Sequence, residues 1–130
     1  MYQQAIGKIE SALSNLGVNP KDAKTEEGQY SISKNKETEI LIDVWQQNDL
    51  VFFQVMSLIT KVQNENGEAV YKMLLEENHN LVEASFAIIN EMIMVKETYE
   101  YNALFTQERA ISAINRLAYY SETYRKKWAL

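Results

Sequence analysis

From Leu74 to Val95 the chain reads LLEENHNLVEASFAIINEMIMV, and this stretch narrows the possible folds more than any other. A helical apolar pattern ends in it, a short polar connection follows, and a β-hairpin begins. Two structural periods, 3.6 and 2, therefore meet within a few residues. The rest of the chain has to supply strands that pair with this hairpin and helices that cover it.

Upstream, Tyr2, Ile6, Ile9, Leu13 and Leu16 recur at helical steps and give one apolar stripe. Gly17 can take the left-handed C-cap conformation, Val18 supplies the hydrophobic contact after it, and Pro20 stops the helix from resuming. Residues 19–29 are polar, with charged residues and Gly28, and read as a loop. The period then changes to two. Tyr30 and Ile32 alternate with Ser31 and Ser33 in a short strand closing at Lys34-Asn35-Lys36. From Thr38 to Gln46, Ile40, Ile42 and Val44 alternate with Leu41, Asp43 and Trp45. Asn48-Asp49 forms a hairpin turn, and Leu50 to Ile59 is a strand rich in β-branched and aromatic residues.

The run QNENGE at 63–68 breaks that strand. Val70, Met73 and Leu74, with Tyr71 and Leu75, mark a short helix from about Asn66 to Glu77. Ala84 to Ile89 and Met92 to Thr98 form a second hairpin around Asn90-Glu91, followed by a loop from Tyr99 to Phe105. Thr106 N-caps a last helix whose apolar face holds Ala110, Ile111, Ile114, Leu117, Ala118, Tyr124 and Trp128. Arg125, Lys126 and Lys127 sit where the helix dipole favours cations. The order α-β-β-β-α-β-β-α predicts an α+β fold, an antiparallel sheet of about five strands with three helices packed on it. At 130 residues the chain fits a single domain, 1–130, with core enough to need no cross-links.

With its Leu74-Leu75 pair, Asn78 ending the middle helix, the hairpin around Asn90-Glu91, and the final LFTQERAISAINRLAYYSETYRKKW opened by Thr106 and closed by aromatic and basic residues, the chain resembles the type III secretion chaperone-like fold. Within that group it is most similar to the YbjN-like family of bacterial domains, over nearly its whole length. The resemblance carries no catalytic residues. It implies a small acidic cytoplasmic protein, often a homodimer, and its secretion-chaperone members hold extended segments of client proteins.

The residues themselves exclude much chemistry. There is no cysteine, which removes disulfides, thiol catalysis and zinc-thiolate sites together. The net charge of −5 and pI of about 4.9 disfavour a nucleic-acid partner held through phosphates and suit a partner with basic segments. Residues 1–10 lack the charged and apolar regions of an export signal. The most apolar run, Leu50 to Ile59, is broken by Gln54 and Ser57, short of the ~20 residues of a membrane helix. A cytoplasmic protein without membrane contact is the expectation.

His79 is the only histidine. Glu76-x-x-His79 has the spacing of half a carboxylate-bridged metal motif, with no second half to complete it, so no metal site is expected. No G-x-S-x-G motif accompanies the histidine, and none of the glycines forms a phosphate-cradling loop. Catalytic and cofactor-binding residues are therefore none. The carboxylates Glu26, Glu27, Glu76, Glu77, Glu97 and Glu100 lie in polar runs or at element ends and are expected on the solvated surface. The cluster Arg125-Lys126-Lys127 beside Tyr119, Tyr120, Tyr124 and Trp128 is a dipole complement with packing aromatics rather than a base-stacking platform.

The hairpins leave one candidate site. A two-residue loop at Asn48-Asp49 sets Trp45 opposite Phe52, Asp43 opposite Gln54 and Leu41 opposite Met56. The other face then carries Ile42 with Val55 and Val44 with Phe53, an unbroken core set. A two-residue loop at Asn90-Glu91 pairs Phe86 with Val95 and Ile88 with Ile93, leaving Ala87, Ile89, Met92 and Met94 on the opposite face. That second face is apolar but diluted, and it gathers adaptable thioethers. Its Leu41, Trp45, Phe52, Met56, Ile89, Met92 and Met94 are the candidate partner-binding residues for a protein or peptide client. Cover by a helix or a second subunit is the competing reading. The expected function is a non-enzymatic protein-binding module that holds an extended apolar segment on a sheet face or edge. The alternative is a regulatory or scaffolding protein with one folded partner, its apolar face used for dimerisation.

Overall fold

A computed structural model describes residues 1–34, 37–62 and 67–128. The first helix, α1, runs Tyr2–Asn15 and closes as a Schellman motif: Gly17 has φ +81, and Val18 N–H donates to Leu13 C=O at 2.9 Å. Pro20 does more than prevent the helix from resuming. It occupies the first position of a short helix α2, Pro20–Ala23, which Asn19 caps through a bond from Lys21 N–H at 3.0 Å. The expected loop then yields a further strand, β1 (Lys24–Glu26), whose three side chains are all exposed. It shows no alternation for that reason.

The strands β2 (Gln29–Ser33), β3 (Glu39–Gln47), β4 (Leu50–Lys61), β5 (Ser85–Ile89) and β6 (Met92–Tyr101) join β1 in one antiparallel sheet, order β1-β2-β3-β4-β6-β5. Between β4 and β5 lie α3 (Gly67–Glu77) and a single 3-10 turn, Asn78–Asn80. The last helix, α4, is Gln107–Lys127, and Thr106 Oγ1 accepts from Arg109 N–H at 3.2 Å at its start. The class is the expected α+β, with one strand and one short helix more than the sequence pattern shows. Lys34 is described, but the expected strand closure at Asn35-Lys36 and the break at 63–66 lie outside the described residues.

Both hairpin registers follow from their two-residue loops. Trp45 faces Phe52, Ile42 faces Val55, Phe86 faces Val95 and Ile88 faces Ile93. Asn90 and Glu91 have φ +51 and +67, the mirror-image turn whose twist matches that of the strands. β6 runs on to Tyr101, where a loop was expected, because Tyr99 and Tyr101 continue the alternation of Val95.

One face of the sheet, with Tyr30, Ile32, Ile40, Ile42, Val44, Phe53, Val55 and Val95, packs against Ile9 and Leu13 of α1 and Ile114 and Leu117 of α4. Polar contacts fix α4 over β4 within this layer. Ser57 and Ser121 share a hydrogen bond at 2.8 Å, and Arg125 reaches Ser121 Oγ, Leu58 C=O and Thr38 Oγ1 at 2.9, 3.1 and 2.8 Å. Arg125 is thus a tether as well as a dipole complement. Phe86, Tyr124 and Trp128 pack together with ring centroids 4.9–5.2 Å apart, so these aromatics are packing residues.

Glu97 corrects an expectation. It is 2 % exposed, not solvated, because its parity along β6 is that of Val95 and turns it to the helix side. Arg116 of α4 holds it from Nε at 3.0 Å and Nη2 at 2.6 Å, and the Tyr99 hydroxyl donates to it at 2.6 Å. Its Oε2 is buried without a hydrogen-bond partner among the described residues.

Candidate functional site

The alternate side chains of β3, β4 and β6 point away from α1 and α4. Leu41, Asp43 and Trp45 on β3 stand opposite Met56, Gln54 and Phe52 on β4. These meet Lys96, Thr98 and Glu100 on β6. Leu41, Trp45, Phe52, Met56 and Met92 are half-buried, and none of them packs into the core beneath. Among the described residues no helix lies across this face.

Trp45 and Phe52 stack with centroids 5.5 Å apart, a rigid aromatic pair near the turn end of the hairpin. Met56 lies further along β4, and Ile89 and Met92 close the β5–β6 hairpin. Ile89 is 44 % exposed, whereas Met94, opposite Leu58, is 8 % exposed and offers little contact area. The seven candidate residues thus share one face but not one patch. Leu41 with Met56 and Trp45 with Phe52 form two cross-strand pairs separated by Asp43 and Gln54, while Ile89 and Met92 lie at the far hairpin, with the polar row Lys96, Thr98 and Glu100 along β6. Leu58, exposed on the same face, belongs with them, and its alternation with Met56 was the signal for it.

Two of the clefts formed by the described residues flank the sheet. One, of about 440 Å³, opens at the Trp45 end and is lined by Tyr2, Glu27, Gln29, Asp43, Trp45 and Gln46 together with Val44. Partial burial pushes the Asp43 carboxyl above its ordinary value, and burial with the nearby charges of Glu27 and Asp43 raises the Tyr2 hydroxyl. The other, of about 200 Å³, lies between α3 and β5, among Tyr71, Leu74, Leu75, Asn78, Phe86 and Ile88. Neither is lined by Glu97, whose contacts with Arg116 and Tyr99 make it part of the scaffold. His79 is exposed. No group of three or more potential metal-ligating side chains occurs among the described residues, and no helix there is long and apolar enough to cross a membrane.

Comparison with known proteins places this geometry. The fold matches a chain of the ExsC–ExsE complex with a TM-score of 0.71 at 7% identity, covering 97% of this chain and 94% of that one. It matches a chain of the heterodimeric ExoU–SpcU complex from the type III secretion system of Pseudomonas aeruginosa at 0.65 and 10% identity, covering 91% and 95%. YbjN from E. coli matches at 0.58 and 12%, covering 92% and 87%. No curated protein matches the sequence. The fold is therefore that of the type III secretion chaperones and of YbjN. Since the CesT_Tir_1 family model matches residues 2–127, almost the whole of the sheet and its helices, the chain belongs to CesT_Tir_1, the type III secretion chaperone family.

Proposed function

We propose that this protein is a non-enzymatic binding module that holds an extended apolar segment of a client protein against the open face of its sheet. The observation that carries this reading is a sheet face that no helix among the described residues covers, with the stacked Trp45–Phe52 pair and, beyond Asp43 and Gln54, Leu41 and Met56. Family membership supports it, and two structural neighbours are chains of complexes with a second protein, ExsC–ExsE and ExoU–SpcU. Extended segments suit such a face, since side chains at alternate positions fall on one side. Work in the cytoplasm fits the same reading.

A homodimer is part of the proposal. Leu75 is 74 % and Val82 61 % exposed, and both flank β5, the last strand of the sheet. Asn78 Oδ1 accepts from the outward Phe86 N–H at 2.6 Å, which fixes the phase of the strand and leaves the Ile88 N–H and C=O on the open edge. Ser85–Ile89 carries no charge, so a second copy across a two-fold axis brings no like charges together there. Light scattering checks this: a dimer mass that Leu75→Glu converts to monomer is expected, and a monomer mass at every concentration rejects it.

Client binding is tested by selecting random 16-residue peptides displayed on phage against the immobilised protein. Enriched peptides should carry apolar residues at alternate positions and lose binding to Trp45→Ala. Absence of enrichment, or enrichment indifferent to Trp45→Ala, removes the open face as the binding site and leaves the scaffolding alternative.

A further inference from the structure

The cleft at the Trp45 end of the sheet combines features that the apolar face lacks. Asp43 and Trp45 project into it from β3, and Glu27 comes from the turn between β1 and β2. Gly28 allows that turn to approach closely. Its φ is +75, and a Cβ there would stand 2.5 Å from Val44 C=O and 2.6 Å from the Tyr2 hydroxyl. Gly28 C=O also accepts from Val44 N–H at 2.8 Å. The turn, the start of α1 and β3 are therefore locked around the opening.

Its charge is unbalanced. Glu27 receives one long bond, from Gln3 at 3.5 Å, and none of the ion pairs among the described residues involves Glu27 or Asp43. A carboxylate that has lost part of its hydration without gaining a cation is a poor arrangement for the free protein. Beside it stands an indole, the aromatic ring that attracts cations most strongly.

We propose that this cleft holds the cationic side chain, arginine or lysine, of a residue in the bound client segment. The assignment rests on the client-binding reading and specifies one of its contacts. A guanidinium or ammonium group gains charge-assisted hydrogen bonds from Asp43 and Glu27 and a cation–π contact from Trp45. A hard metal ion asks for six or more oxygens, and no three-residue ligand group exists among the described residues. The volume, about 440 Å³, admits a long side chain with water around it. Because Trp45 also stacks on Phe52, the cleft continues into the apolar face. A basic residue seated there sets the direction in which an apolar stretch crosses the sheet.

The test is an NMR titration of the full chain, labelled with ¹⁵N, with N-acetyl-arginine amide and, in parallel, N-acetyl-citrulline amide, its neutral isostere. Saturable shifts at the Trp45 indole N–H and at the Asp43 amide are expected for arginine, about fivefold weaker in Asp43→Asn and reduced by salt. The Asp43→Asn spectrum itself reports whether that variant is folded. Citrulline amide binding as well as arginine amide, Asp43→Asn binding like wild type, or no saturable shift overturns the assignment. A positive peptide selection with a negative titration removes the cation site alone. The reverse result removes the apolar face and keeps the cleft.

Discussion

Arg116 Nη2 lies 2.6 Å from Glu97 Oε1, and this contact joins the middle of α4 to β6 in a place closed to solvent on the carboxylate side. The same guanidinium reaches Glu83 at 3.1 Å, and the Tyr99 hydroxyl, with one proton to donate, lies 2.7 Å from Glu83 Oε2 and 2.6 Å from Glu97 Oε1. Removing Arg116 leaves a buried carboxylate without its cation, which costs far more than losing a surface pair. Arg116→Met is expected to lower stability by about 3 kcal/mol, the lower end of the range for breaking a buried pair, since Arg116 keeps some exposure. The double variant Arg116→Met, Glu97→Leu should recover part of that loss. Denaturant melts decide it; a single-variant loss below about 1 kcal/mol would place the pair among ordinary surface bridges.

Asp43 makes stability depend on acid in an unusual direction. Burial raises its carboxyl above the ordinary 3.8, against a smaller lowering by the Val44 backbone. The folded state therefore holds that proton more tightly than the unfolded chain does. Its contribution to stability falls as pH rises from 3.8 to the higher folded value, and stays reduced at neutral pH. Asp43→Asn should melt at a higher temperature than wild type at pH 7, with the difference gone near pH 3. Thermal melts at both values check it, and an advantage of equal size at both would point to a cause other than ionisation.

The turn at Asn90-Glu91 holds a non-glycine residue, Glu91, at φ +67. Left-handed backbone costs such a residue roughly 1 kcal/mol, and the turn type favours glycine there. Glu91→Gly should raise stability by about 0.5–1 kcal/mol in a denaturant melt. Destabilisation would show that the glutamate side chain has a supporting role in the hairpin.

Trp45 offers a direct report on the open face. In a Trp128→Phe background its emission should be that of a partly exposed indole and move to the blue when a selected peptide binds. Trp45→Ala should weaken that binding by about 2 kcal/mol or more, as for an interface anchor. Its fold should survive, since Trp45 stands outside the core set. Unfolding of Trp45→Ala together with blue emission in the free protein would make Trp45 a structural residue.

The hairpin pairings were legible because two-residue loops leave no choice of register once the apolar sets are aligned. Trp45 could face little else than Phe52, and Ile42 little else than Val55. At Glu97 composition and parity point in opposite directions, and parity prevails. KETYEY at 96–101 looks like a solvated run, yet every second residue from Val95 turns inward. The position of Arg116 on the final helix, beside the core row Ala113, Ile114 and Leu117, held the matching clue. β1 left no trace because a strand with both faces in water has no hydrophobic period to show. The cleft at Asp43 was out of reach for another reason. Its walls come from α1, the β1–β2 turn and β3, and only the fold brings Tyr2, Glu27 and Asp43 together.

Among the described residues, α1 and α4 pack on one side of the sheet, so a single strand such as β3 answers to two separate demands. Ile40, Ile42 and Val44 are held by the volume they fill, whereas Leu41, Asp43 and Trp45 stand outside the core. A lineage built this way can rewrite every second residue of its strands to suit a new partner while inheriting the architecture unchanged. Solved structures that keep this shape at 7–12% identity are what such a division of labour allows.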